Sequence, residues 1–193
     1  MVEPPPPPLR LRRPEGAEAA GIERLLRQVP CPFVGPLRFA IWQAGRQSGD
    51  RPADDAGGAR SVLAGQPRAD LAVAIELPEL TGARPPKLQT ALAELAQALG
   101  AEQPAGRPFV DEAGWWLRAA GSEWFVTVHA DCYPTRHSRH WARTGAVIVL
   151  VPRLAFDQGF PAGVPDSTRQ AIRLAFSRKG IGYPSGGGAI ADG

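Results

Sequence analysis

Apolar positions along this chain change their period several times, and each change marks an element boundary. From Ala17 to Gln28, Ile22, Leu25 and Leu26 fall at helical spacing with charges between them. The spacing predicts an amphipathic helix that ends before Val29, because Pro30 and Pro32 both oppose helix. LRFAIW, Leu37 to Trp42, reads as a short strand, followed by the polar, glycine-rich GRQSGDRPADDAGG. A further short helix can start near Asp55 and run to Leu63. ADLAVAIEL, Ala69 to Leu77, is short, apolar and bounded by turn formers, which predicts a buried strand.

The second half of the chain is punctuated as clearly. Pro85 and Pro86 open PPKLQTALAELAQALG, a helix with Leu88, Leu92, Leu95 and Leu99 on one face and Gly100 placed to stop it. GWWLRAA and SEWFVTVHA, joined at Gly121 and Ser122, predict a β-hairpin whose second strand ends near His129. AVIVLVP, Ala146 to Pro152, is another buried strand. DSTRQAIRLAFSRKG is a helix capped by Asp166 or Ser167 and stopped by Gly180. Helices and hairpins mixed in this order predict an α+β fold: a single domain with a mixed or antiparallel sheet and helices packed on one face. That domain spans residues 17–183. Residues 1–16, MVEPPPPPLRLRRPEG, read as a proline-rich disordered tail without core, and residues 184–193 as a glycine-rich tail. The GGG near the end precedes no helix, so it is not a phosphate loop.

Composition narrows the function classes. A length of 193 residues with 44% hydrophobic and 21% charged residues suits one globular domain. The net charge is +3, and the arginines are scattered among acids without a basic block, which argues against nucleic acid as a partner. No stretch of about 18 apolar residues occurs and the N-terminus lacks the apolar core of a secretory signal, so neither a membrane nor export is expected. The expected location is cytoplasmic. Cys31 and Cys132, far apart in sequence, form no disulfide framework and are expected as thiols.

All three histidines and one of the two cysteines lie in HADCYPTRHSRH, residues 129–140, with the spacing H-x2-C-x4-H-x2-H. His129, Cys132, His137 and His140 are each able to ligate zinc. A structural zinc site normally draws ligand pairs from two separated turns, and no second pair exists; the H-x-E or HExxH context of a catalytic zinc site is also missing. The alternative is a set of solvated or core histidines accompanying Arg136, Arg139 and Arg143. Cys31, between two prolines, could serve as a nucleophile activated by a histidine, but no third member is identifiable; a Cys-Pro pair can also offer heme iron a thiolate.

Three ordered motifs carry a resemblance. VPCPFVGPLRFAIW has a Pro-Cys before a strand, WFVTVHADCYPTRHSRHW has a strand ending in His with a later Ser-Arg, and AVIVLVPRLAFD has a strand, then Pro, then Phe with an acid. In this order the run from about Gln28 to Gln158 resembles the YqcI/YcgG family, some of whose members are heme-dependent N-oxygenases acting on free amino acids or guanidino compounds. Family members usually carry Pro directly after the strand-end His, where this chain has Ala130. The resemblance implies a heme cofactor with His129 as axial ligand, and His137, His140 and Cys132 as alternatives. Arg136 and Arg139 would pair with heme propionates or a substrate carboxylate, Cys31 would belong to the cofactor site, and Trp115, Trp116, Trp124 and Phe125 would supply an apolar wall. It further implies a small amino-acid-like substrate and an electron donor; a homodimer is allowed, and zinc is the alternative cofactor.

Overall fold

Leu71–Leu77 and Ala146–Pro152 are apolar at nearly every position, so neither strand can lie where one face of a sheet meets water. In the computed structural model, which describes residues 9–29, 36–46, 55–65, 68–102, 116–160 and 164–183, they pair with each other at the centre of a seven-stranded sheet. The chain runs β1 (Arg10–Arg12), α1 (Gly16–Gln28), β2 (Arg38–Gly45), α2 (Ala56–Ala64), β3 (Leu71–Leu77), a 3-10 turn (Pro78–Leu80) and α3 (Pro85–Ala98). It continues with β4 (Ala101–Glu102), β5 (Trp116–Ala119), β6 (Ser122–Ala130), β7 (Ala146–Pro152), α4 (Arg153–Gly159) and α5 (Asp166–Arg178). The strand order is β1-β2-β3-β7-β6-β5-β4. Only β2 and β3, linked through α2, are parallel; every other pair is antiparallel, so the sheet is mixed. The α+β fold expected from the order of elements is the one that forms.

Its helices cover both faces of the sheet rather than the one face expected. Trp42, Val73, Ile75, Trp124, Val126, Val128, Ile148 and Leu150 point toward α2 and α3, where Leu63, Leu88, Leu92 and Leu95 close the larger core. The alternate residues Ala72, Ala74, Val147 and Val149 point the other way, against Ile22 and Leu26 of α1 and Ala155 and Phe156 of α4. The physical reason lies in β3 and β7 themselves, whose two apolar faces each need cover.

Further corrections concern segments too short for a period to emerge. Residues 10–12, assigned to the tail, form an edge strand paired antiparallel with β2, Leu11 opposite Ala44. Leu11 is 1% exposed and belongs to the larger core, while Arg10 and Arg12 on either side face out. The exposed arginines also suit an edge, where charge discourages pairing with another chain. Also unforeseen were the two-residue β4 and the helix α4, the latter starting directly after Pro152; proline is well placed just before a helix because it has no N–H to leave unpaired. The hairpin turns at Ala120 and Gly121, with φ of 52° and 75°, the left-handed pair that matches strand twist in a two-residue loop. Residues 1–8 and 184–193 lie outside the described residues. Among the described residues no helix is long and apolar enough to cross a membrane.

Leu11→Ala should lower unfolding stability by about 2–5 kcal/mol, the usual range for emptying a closed leucine site. The same change at Leu174, half exposed on α5, should cost little. Urea denaturation of the two variants makes the comparison.

Candidate functional site

Because β2 and β3 run parallel, their C-terminal ends reach one end of the sheet together, and Leu77 of β3 meets Ala146 of β7 and then Ala130 of β6 there. The β6–β7 connection, residues 131–145, starts and finishes at this end and carries most of the predicted site residues. Its entry and exit are tied by Asp131, whose two carboxylate oxygens accept the N–H groups of Gly82 (2.9 Å) and Gly145 (2.8 Å). Gly145 has φ +90°, and a Cβ there would lie 2.4 Å from the Leu77 carbonyl oxygen, so only glycine fits.

Midway the loop returns alongside β6. Ala130 donates its N–H to the Arg139 carbonyl (2.9 Å) and Trp141 donates to the Ala130 carbonyl (3.0 Å), which sets His140 parallel and opposite Ala130. Alternation then turns His140 to the α2/α3 side and Arg139 and Trp141 to the α1 side, beside His129. The segment after α5 closes over the loop: Ser138 donates to the Gly182 carbonyl (2.9 Å) and Gly182 to the Arg136 carbonyl (2.6 Å).

The three histidines meet different surroundings. His129 is buried, 7% exposed, and opposite Val147; loss of hydration, then the charges of Arg139 and His137, lower its pKa to about 3. It is therefore neutral at ordinary pH, with Nδ1 enclosed and unpartnered. His137 stacks on Tyr133 with ring centroids 4.7 Å apart, and its Nδ1 accepts the Arg139 N–H at 3.0 Å. Its pKa is also lowered, by burial first and then by Arg139 and His140. His140 Nδ1 lies 2.8 Å from the Tyr133 carbonyl oxygen. A carbonyl can only accept, so this nitrogen carries a proton, and in the neutral ring the lone pair is on Nε2.

The remaining predicted residues are less closely gathered. Arg136 is exposed, Arg139 and Cys132 are half-buried, and burial with the nearby Asp131 raises the Cys132 thiol pKa. Cys31 and Trp115 lie outside the described residues. Trp124 points into the α2/α3 core, whereas Trp116 and Phe125 meet Phe156 edge-on on the other face. That aromatic group lies on the His129 side of the sheet but about 13 Å down the strand from it. Among the described residues no three of His, Cys, Asp or Glu gather closely enough to hold a metal ion, so the cluster of ligand types in sequence is not a cluster of ligands in space. A groove of about 430 Å³ beside Arg118, Glu123, Arg153 and Leu154 lies at the opposite end of β6 and includes none of the predicted residues.

Sequence reasoning missed a polar row on the α1 face. Arg12, Gln43, Glu76, Val147 and His129 are consecutive cross-strand neighbours from β1 to β6. Glu76 is 1% exposed; one carboxylate oxygen accepts the Gln43 amide at 2.7 Å. Arg143 Nε, reaching in from the loop, lies 2.8 Å from the other oxygen, at short range though off the N–H axis. Gln43 also donates to Glu18 of α1 (2.6 Å), and Arg12 bonds both Glu18 and the Gln43 carbonyl oxygen. The signal was the lone acid, Glu76, inside the apolar run LAVAIEL.

The molecule is thus an α+β protein whose mixed sheet presents a histidine- and arginine-bearing loop at one end. Compared with models of protein families, with curated proteins and with solved structures, the chain finds no match.

Two outcomes follow from the site's packing. Gly145→Ala should destabilise the protein and disturb the 131–145 loop, visible as new chemical shifts for Gly82 and Asp131. The His129 pKa gives a sign as well. The unfolded ring takes a proton near pH 6.5 and the folded one near 3, so the unfolded state binds more protons between these values and stability falls as pH drops below about 6.5. The slope is at most about 1.4 kcal/mol per pH unit for one group. Glu18, Asp55, Asp70 and Glu123, held low by hydrogen bonds from Arg12, Trp42, Arg68 and Arg153 respectively, titrate beneath the pH 7 to 5 window. Melts across that window should flatten in His129→Asn, leaving the smaller His137 contribution.

Proposed function

We propose that this chain binds heme through a histidine of the 129–140 segment, and that His140 rather than His129 offers iron its nitrogen. The observation that carries this is the Nδ1–H of His140 on the Tyr133 carbonyl, the second-shell arrangement that orients a metal-binding imidazole and leaves Nε2 free. His140 is half-buried and hence approachable. His129 is a poorer donor, since its Nδ1 is enclosed and its ring is packed among core residues. The donor set also favours heme over zinc. Zinc needs three or four protein ligands, whereas the porphyrin fills the equatorial positions of its own iron and asks the protein for one.

Arg136 and Arg139 stand four residues and one residue before His140, Arg139 turned to the opposite side of the sheet and Arg136 exposed on the loop, and a guanidinium pairs well with propionate or substrate carboxylate. Bound heme would supply oxygen activation, drawing on an electron donor outside the chain, and the substrate on this reading is a small amino-acid-like amine or guanidine. The chain's own part is to hold the donor nitrogen, place positive charge beside it and limit water. A reducing, cytoplasmic setting belongs to the same reading.

Protein titrated with hemin should develop a Soret band that His140→Ala abolishes or shifts, while His129→Ala retains it. Arg136→Ala should weaken heme retention about tenfold, near 1.4 kcal/mol, and Arg153→Ala should not. No heme uptake by the unaltered protein sinks the reading. Uptake without N-hydroxylated product from a panel of arginine, lysine and related amines makes the chain a heme-binding protein without turnover.

A further inference from the structure

Glu76 is a charged group near the C-terminal end of an otherwise apolar central strand, and it takes no part in ligand binding as proposed above. Replacing such a pair by apolar residues is often neutral or stabilising, so stability alone gives little reason for its presence. Its partners suggest another role. Asp131 ties the two ends of the 131–145 loop, and Gly182 ties residues 136 and 138. On the returning limb, Trp141 and Arg143 are two residues apart. Beyond the Trp141 backbone bond to Ala130, the Trp141 indole is seated by burial alone, with its N–H unpartnered, and apolar contact has no preferred direction. Arg143 adds a charged contact: it passes Gly21 of α1, where an added Cβ would lie 3.3 Å from its Nη1, and reaches Glu76 across β7, with Nε 2.8 Å from one carboxylate oxygen off the N–H axis and Nη2 donating to the second oxygen at 3.5 Å. Gln43, itself held by Glu18 and Arg12, fixes the other oxygen of that carboxylate.

We propose that Glu76 and Arg143 are positioning residues: their ion pair keeps the 139–141 limb in register with the end of β6, and so keeps Arg139 beside His129 and His140 Nδ1–H on the Tyr133 carbonyl. The functional side of this rests on the loop being the ligand-binding segment. The strut itself does not, because it predicts the behaviour of the protein without heme.

Hydrogen exchange followed by NMR separates positioning from general stability. The reporters are the amides of Ala130, Asp131 and Trp141, which bond to Arg139, Gly145 and Ala130 at 2.9, 2.9 and 3.0 Å. Amides of α3 and of β6 around Val126 are the comparison. In Glu76→Gln and in Arg143→Gln the reporters should exchange about tenfold faster or more while the comparison amides keep their rates. Arg143→Lys, which retains the charge, should recover most of the protection. A uniform rise at all amides, or none at the reporters, overturns the proposal. Should Glu76→Gln fail to fold, Arg143→Gln decides alone, since that side chain is 35% exposed on a loop. A Soret shift in hemin-loaded Arg143→Gln extends the result to the site; absence of heme uptake in the unaltered protein removes only the function proposed above.

Discussion

A carboxylate without water around it needs partners in fixed places, and the Glu76 carboxylate imposes that requirement at the centre of the sheet. Leaving such a charge unpaired in the interior costs several kcal/mol. Its partners come from elements far apart in sequence: Gln43 from β2 and Arg143 from the β6–β7 loop, with Glu18 of α1 and Arg12 of β1 joined behind Gln43. Slipping β3 by one residue would turn Glu76 into the α2/α3 core and turn its flanking apolar residues the other way. The polar row therefore specifies register across strands whose apolar side chains would tolerate several registers. It also brings the N-terminal strand, the first helix and the long loop to the same face.

The two faces of the sheet divide the labour. The α2/α3 face is almost wholly apolar and supplies the bulk of the buried area, from Trp42 through Leu150. Toward the C-terminal ends of β2 and β3 the α1 face changes from apolar to polar, with Ala72 and Ala74 giving way to Glu76 and with Gln43 alongside. A loop attached at that end starts from rigid backbone and can hold side chains in set positions, a common arrangement for binding residues on a packed scaffold. Asp131 and Gly145 show how tightly the anchorage is built, for the loop's exit passes within contact of the Leu77 carbonyl, where a side chain has no room.

At the end of β6 and within that loop, chemically identical side chains become unlike reagents. Burial makes His129 a neutral base that scarcely protonates, a backbone N–H occupies Nδ1 of His137, and a backbone carbonyl orders the tautomer of His140. These differences come from one or two hydrogen bonds each and from the amount of water each ring has lost. Ligand-capable residues twelve positions apart or fewer do not thereby converge, because the turn through Pro134 and the return along β6 send successive side chains to opposite faces of the sheet.

Period and punctuation alone determined most of the elements: α1 from Ile22, Leu25 and Leu26, α3 from its leucine stripe between Pro85 and Gly100, the β5–β6 hairpin, and β3 and β7 as buried strands. These are long enough for local pattern to outweigh chance. β1 and α4 were hidden because three residues, or seven following a proline, carry too few apolar positions to show a period. The site divides in the same way. That His129 ends a strand and that Arg139 and His140 follow in a loop could be read from residue order, but which histidine is enclosed depends on hydration and on carbonyl positions set by distant segments. Only the tertiary structure decided that both sheet faces are covered, that Leu11 belongs to the core, and that Glu76 and Arg143, 67 residues apart, meet. Long-range pairing of this kind leaves no local trace, since each partner looks like an ordinary charged residue until the strands between them are placed side by side.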